Sequence, residues 1–200
     1  MIAAIGRSLY IVAFMVIAVT AAGRAHAQAD AAGFIGRLAA DAVPVLTNPT
    51  VPETQREQKF RELLDKGFDM RALSQLVLGR YWRQASPEEQ QEFVGLLEAY
   101  LIQIYADRFS EFQNVALEVG STRRDQDTDF VSSTMRQTSG PPVQLEWRVD
   151  RVGDRYVITD LVVEGVSMVI TQRSEFASVI RQRGGQVSGL LDLLRQRTRG

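Results

Sequence analysis

The chain has 200 residues, 24 % charged and 45 % hydrophobic, with no cysteine, one histidine and a formal net charge of −1. Without cysteine it has no disulfide, no thiolate nucleophile, no cysteine-based zinc site and no lipoprotein anchor on an N-terminal cysteine. The mild charge balance speaks against a nucleic-acid binder.

The first 27 residues read as an export signal. Arg7 supplies a positive n-region, Leu9 to Ala22 form an apolar run, and Ala25-His26-Ala27 gives a small-x-small cleavage pattern before Gln28. The run is shorter than the roughly 20 residues that span a bilayer, so stable membrane insertion is not expected; an uncleaved anchor is the alternative. Cleavage removes the only histidine, His26, and with it Ser-His-Asp catalysis and zinc sites built on histidine. It also removes Arg7 and Arg24, leaving 21 basic against 24 acidic residues, a net charge of −3. Residues 28–200 suit one domain, with lysine only at Lys59 and Lys66.

The N-terminal half follows helical spacing. Phe34, Ile35, Leu38, Ala42 and Val45 mark a first helix over 31–46, with Pro44 weakening its last turn. After the turn from Thr47 to Pro52, Glu53 to Lys66 form a charged second helix closed by Gly67. Asp69 caps a third, ended by Gly79. Ser86-Pro87-Glu88-Glu89 is the strongest start signal in the chain: serine at the N-cap, proline at the first position, glutamate three residues on. The helix that follows bears Phe93, Leu96, Leu97, Tyr100, Leu101, Ile104, Tyr105 and Phe109 as one stripe.

Beyond Phe112 the period changes from 3.6 to 2. Val115–Arg124, Asp129–Arg136, Val143–Asp150 and Arg155–Val163 read as four strands with short turns, hence an antiparallel meander. Leu145, Trp147 and Val149 share one face, as do Val131, Ser133 and Met135; the opposite face is mostly wet. A helix over Met168–Arg183, a Gly184-Gly185 break and a short helix with Val187, Leu190, Leu191 and Leu194 close the chain. The expected fold is α+β: a curved four-stranded antiparallel sheet packed against N-terminal and C-terminal helices. The stripe and the sheet face either close on each other as a solid core, as in a simple adaptor, or enclose an apolar cavity.

Two blocks bear on that choice. Leu76-Val77-Leu78-Gly79-Arg80-Tyr81-Trp82 with the Ala85-Ser86-Pro87 helix start, and Glu164-Gly165-Val166-Ser167-Met168, resemble the MlaC family of periplasmic phospholipid-binding proteins. This is the toluene-tolerance class, which includes hopanoid-associated members. The resemblance covers nearly all of residues 28–200; the indole of Trp82, where a second tyrosine or similar ring can stand, is a local departure bearing on ligand fit. It implies a periplasmic carrier that holds lipid acyl chains in an apolar cavity and passes lipid between outer-membrane and inner-membrane ABC transporter complexes. No cofactor, metal or catalytic residue is implied.

The lipid-contact candidates on the helical side are Leu78, Tyr81, Trp82, Phe93, Leu97, Tyr100, Leu101 and Tyr105. On the sheet side and beyond they are Met135, Leu145, Trp147, Val149, Val166 and Met168. Each buried CH₂ of a lipid would contribute about 0.8 kcal/mol. Gly79 and Gly165 most simply serve backbone geometry. Arg80 and Arg83 are candidates for a phosphate contact, solvated arginine being the plainer expectation. A hopanoid-type lipid is an alternative cargo. The alternative of a different class is a small cone-shaped enzyme with Asp160 or Glu164 as general base, which requires a carboxylate inside a pocket.

Overall fold

The computed structural model describes residues 31–106, 108, 115–138 and 140–198; the export signal read over 1–27 and Phe109 of the apolar stripe lie outside them. Helix α1 spans 31–46, α2 Glu53–Gly67 and α3 Met70–Leu78, and a 3-10 turn follows over Gly79–Arg83. Helix α4 runs Pro87–Tyr105. The strands are β1 Ala116–Asp125, β2 Thr128–Arg136, β3 Val143–Val152, β4 Arg155–Val163 and β5 Val166–Ser167, with α5 Met168–Gln182 and α6 Val187–Arg197 after them.

The predicted helix starts are made by the predicted residues. Asp69 accepts a 2.9 Å hydrogen bond from the Ala72 backbone amide. Ser86 Oγ accepts from the Glu89 amide at 3.2 Å while Glu89 Oε2 accepts from the Ser86 amide at 2.9 Å, a complete capping box. Gly79 ends α3 at φ 55°, a conformation costly for any residue with a Cβ. Gly67 departs from expectation: α2 continues through it and ends at Phe68. Its lack of a side chain serves packing, because a Cβ there would lie 3.2 Å from Leu38 Cδ1 and 3.5 Å from Ile158 Cδ1.

The sheet is antiparallel in the order β1-β2-β3-β4-β5, one strand more than the four expected. Strand β5 has two residues, too short for any period-2 signal. It folds back on β4 through Glu164 and Gly165, at φ 48° and 80°; consecutive left-handed residues of this kind make a tight hairpin turn.

Buried apolar residues gather in three clusters. The largest joins α3, the 3-10 turn, α4, α5 and α6 around Phe93, Leu97, Ile180, Leu190, Leu191 and Leu194. A second joins the end of α1 to α2 and α4 through Ala42, Leu46, Phe60, Leu64 and Ile102. The third sets Ala31 and Ile35 of α1 on Val131, Val149 and Ile158 of the sheet. Phe68 packs against all three. Its backbone forms a parallel bridge with Ile158, and its carbonyl accepts from Arg155 Nη2 at 3.2 Å. Far from this junction, Arg195 of α6 grips Glu92 of α4 through two hydrogen bonds of 2.6 and 2.8 Å.

Two consequences are measurable. Phe68→Ala is expected to cost about 3 kcal/mol by opening a void where three clusters meet, with Tm lower by roughly 6–12 °C in a calorimetric scan. Asp129 is buried beside Val149, one carboxylate oxygen without a hydrogen bond and Arg124 Nε 3.9 Å away. Burial raises its pKa, the Asp150 charge adds to the rise, and Arg124 opposes it. An acid whose folded pKa lies above its unfolded value loses stability as pH climbs through the folded pKa. Asp129→Asn should therefore raise Tm at pH 7, with the gain shrinking on acidification below the raised pKa of Asp129; a pH-independent effect contradicts this account.

Candidate functional site

Helix α1 has two unlike sides. Ile35, Ala42 and Leu46 are buried against the sheet and against α2 and α4. Gly36, Ala39, Ala40 and Val43, spaced i, i+3, i+4 and i+7, form a second, small-residue side. Small side chains leave space beside the helix instead of filling it. An open cleft of about 280 Å³ lies there, lined by these four residues with Pro44 of α1 and Ala116 and Leu117 of β1. Among the described residues no charged side chain lines it, and its volume is near the lower end of the roughly 300–1,000 Å³ of small-molecule pockets.

The sheet prolongs the wall. Leu117 pairs with Met135 across β1 and β2, and Met135 pairs with Val143 across β2 and β3; all three are half-buried. In the next rows of the same face Ser133 pairs with Leu145 and Val131 with Trp147. Trp147 Nε1 donates to Ser133 Oγ at 2.8 Å, so the one polar atom of that indole is satisfied without water.

The helix is held at the cleft by a polar clasp on its far side. Asp41 accepts from Lys59 at 2.7 Å and Lys66 at 3.2 Å, which fastens α1 to α2. Both lysines hold the Asp41 carboxyl below its usual pKa, Lys59 most strongly.

None of the predicted lipid-contact residues lines the cleft itself. Met135, Leu145, Trp147 and Val149 share the sheet face that adjoins it, with Val149 fully buried in the cluster that α1 forms with the sheet. Leu78, Tyr81, Phe93, Leu97 and Tyr100 are brought together elsewhere, buried against Phe176 and Ile180 of α5 and the leucines of α6. Phe93 and Phe176 meet edge-on at 5.7 Å. Trp82 and Leu101 pack at the margin of that cluster, and Tyr105 packs on Phe60 with ring centroids 6.3 Å apart. Burial pushes the Tyr105 phenol upward in pKa. The apolar stripe of α4 is therefore covered mainly by helices α6, α2 and α3, where a sheet partner was expected. Val166, at the β4–β5 turn, is 53 % exposed, and Met168 is half-buried at the start of α5. The residues that sequence reasoning missed are Gly36, Ala39, Ala40, Val43, Pro44, Ala116 and Leu117. The available signal was the helical spacing of glycine and alanine on the side of α1 next to Ile35 and Leu46.

The two carboxylates weighed for catalysis have structural partners. Asp160 is buried and accepts from Ser167 Oγ at 2.6 Å and from the Val169 amide at 3.1 Å, with Arg148 Nη1 at 3.3 Å. Ser167 in turn accepts from the Ile170 amide, so a carboxylate and a hydroxyl together cap α5, where negative charge is favoured. Glu164 is exposed and accepts from the Gln144 amide across the β4–β5 turn. Neither lines the cleft. Among the described residues, no group of histidine, cysteine, aspartate or glutamate side chains has the arrangement of a metal site, and no helix is long and apolar enough to cross a membrane.

The family model described as MlaC protein matches residues 37–196. The chain is 24 % identical over 115 residues to the toluene tolerance protein ttg2D of Pseudomonas putida, covering 56 % of this chain and 53 % of that one. It is 24 % identical over 113 residues to the intermembrane phospholipid transport system binding protein MlaC of Haemophilus influenzae, covering 54 % and 53 %. The match thus spans about half the length of these curated relatives. Among solved structures, a phospholipid-binding protein from Ralstonia solanacearum in complex with a phospholipid superposes with a TM-score of 0.70 at 27 % identity, over 83 % of this chain and 95 % of that one.

If the small side of α1 keeps the cleft open, Ala39→Trp should fill it. The variant is expected to lose uptake of a fluorescent apolar probe that the wild type takes up, while Tm moves by no more than about 2 °C. Undiminished uptake would place the binding space elsewhere.

Proposed function

The chain belongs to the MlaC family, and from that premise we propose that it is a periplasmic phospholipid carrier, binding acyl chains without chemistry. The carrier exchanges lipid with an outer-membrane complex and with an inner-membrane ABC transporter complex. Residues 28–200 form the lipid-binding domain after removal of the export signal 1–27.

The supporting observation is the cleft between α1 and β1, whose described lining is uncharged, beside the half-buried row Leu117, Met135 and Val143. An acyl chain needs apolar surface and little else, each CH₂ contributing about 0.8 kcal/mol when removed from water. In this reading the chains run along Met135, Leu145 and Trp147, displacing the loosely packed side of α1. The cluster around Tyr81, Phe93, Leu97 and Tyr100 acts as a rigid support behind that wall. The headgroup stays in water, which agrees with a cleft that has no charged side chain among its described lining residues. Asp160 and Glu164 are assigned to the cap of α5 and the β4–β5 turn, a use of both carboxylates that needs no substrate.

Organic extraction and native mass spectrometry of the purified protein test the reading. A phospholipid bound at one copy per chain is expected, as is its uptake from vesicles by delipidated protein. A lipid-free protein that also takes up none would overturn the proposal. Recovery of a hopanoid-type lipid in place of a two-chain lipid would replace the cargo assigned here.

A further inference from the structure

The arginines are not evenly neutralised. Arg61, Arg136, Arg195 and both lysines each have a carboxylate within 3.2 Å. Around the 3-10 turn the situation is different. Helix α3, the turn and α5 together contain Arg71, Arg80, Arg83, Arg173 and Arg181 against a single acid, Glu175. None of the five arginines pairs with a carboxylate among the described residues; Arg71, Arg80, Arg173 and Arg181 meet aromatic rings, a phenol or a backbone carbonyl. Arg71 lies 5.4 Å over the Trp82 ring and Arg80 4.9 Å over Tyr81. Arg80 Nη2 donates to Tyr81 Oη at 2.9 Å, and Arg181 reaches the same oxygen. Arg173 donates to the Leu76 carbonyl, and its Cδ lies 3.3 Å from where a Cβ on Gly79 would sit. One turn before Arg173, on the same side of α5, Ile170 is 61 % exposed, and nearby Val166 is 53 % exposed.

We propose that this face, formed by the 3-10 turn and α5, docks on an anionic lipid surface. The guanidiniums meet headgroup phosphates, and Ile170 and Val166 enter the interface. Guanidinium is suited to phosphate because its planar donors pair with two oxygens at once. Aromatic stacking pre-orders Arg71 and Arg80 without neutralising them, so little is lost when a phosphate arrives. An acidic protein surface would also attract the arginines. Lone exposed aliphatic side chains beside them fit the boundary between headgroups and acyl chains better. The proposal rests on the carrier reading, since a carrier must meet the surface its cargo comes from.

Flotation with vesicles tests it. The wild type should bind phosphatidylglycerol mixed into phosphatidylcholine, bind pure phosphatidylcholine far less, and dissociate as salt is raised. Arg80→Gln and Arg181→Gln should each weaken binding about fivefold. Ile170→Ser, at a position with little to lose in the fold, should weaken it severalfold. Arg181→Gln and Ile170→Ser are expected to keep wild-type Tm and wild-type bound phospholipid, which separates docking from cargo binding. Equal binding to both vesicles, insensitivity to salt, or unchanged binding by all three variants overturns the proposal. A protein that holds no lipid yet binds the anionic vesicles leaves docking standing and removes the carrier reading.

Discussion

Three hydrophobic clusters meet at one side chain, and the placement of nearly every element follows from it. Phe68 is the residue at which α2 stops, and its backbone leaves the helix to bridge Ile158 of β4. That bridge brings the helical half of the chain against the sheet at a fixed point. Gly67 makes the approach possible by leaving room for Leu38 and Ile158. The ring of Phe68 then lies among the bundle of α3 to α6, the α1–α2 layer and the covered sheet face. Close packing at such a junction transmits position from one layer to the next, because a dense interior has no slack to absorb a shift.

The cleft is a by-product of how α1 is held. Its first turn is pinned to the sheet by Ala31 and Ile35, and its last by Ala42 and Leu46 against α2 and α4. Between the pins the side turned toward β1 is glycine and alanine, which cannot fill the space opposite Ala116 and Leu117. The gap persists because fixed points on either side prevent collapse. Burying one acyl chain there would give the small residues the apolar contacts they lack. The β4–β5 turn serves a different end: two left-handed residues return the chain so that Ser167 and Asp160 together start α5 beside the sheet.

Much of this was legible in the sequence because it was written in local chemistry. The capping box at Ser86 and Glu89, the Asp69 cap, the Gly79 stop and four of the five strands all follow from residues near in the chain. The Gly67 reading failed because local grammar treats glycine after a helix as a terminator, whereas here a contact with a distant strand decides its use. The stripe on α4 was read as one surface. In three dimensions it divides: Phe93, Leu97 and Tyr100 meet α5 and α6, while Tyr105 meets the α1–α2 layer and Leu101 touches both. Periodicity shows which residues leave water without saying what they leave it for. The small side of α1 was overlooked for a related reason, since apolar patterns are weighed by bulk and an opening is marked by its absence.

The Asp41 clasp has a consequence for chemical work on the protein. Lys59 and Lys66 are the only lysines in the chain, and both grip the same carboxylate. Amine-directed reagents, whether dyes, biotin esters or crosslinkers, therefore have side-chain targets at one place only, the seam between α1 and α2. Lys66 is the more accessible of the two, its side chain 57 % exposed against 17 % for Lys59. Acylating it removes a cation that holds α1 in position. A label meant as a passive reporter thus sits on the fastening of the cleft wall.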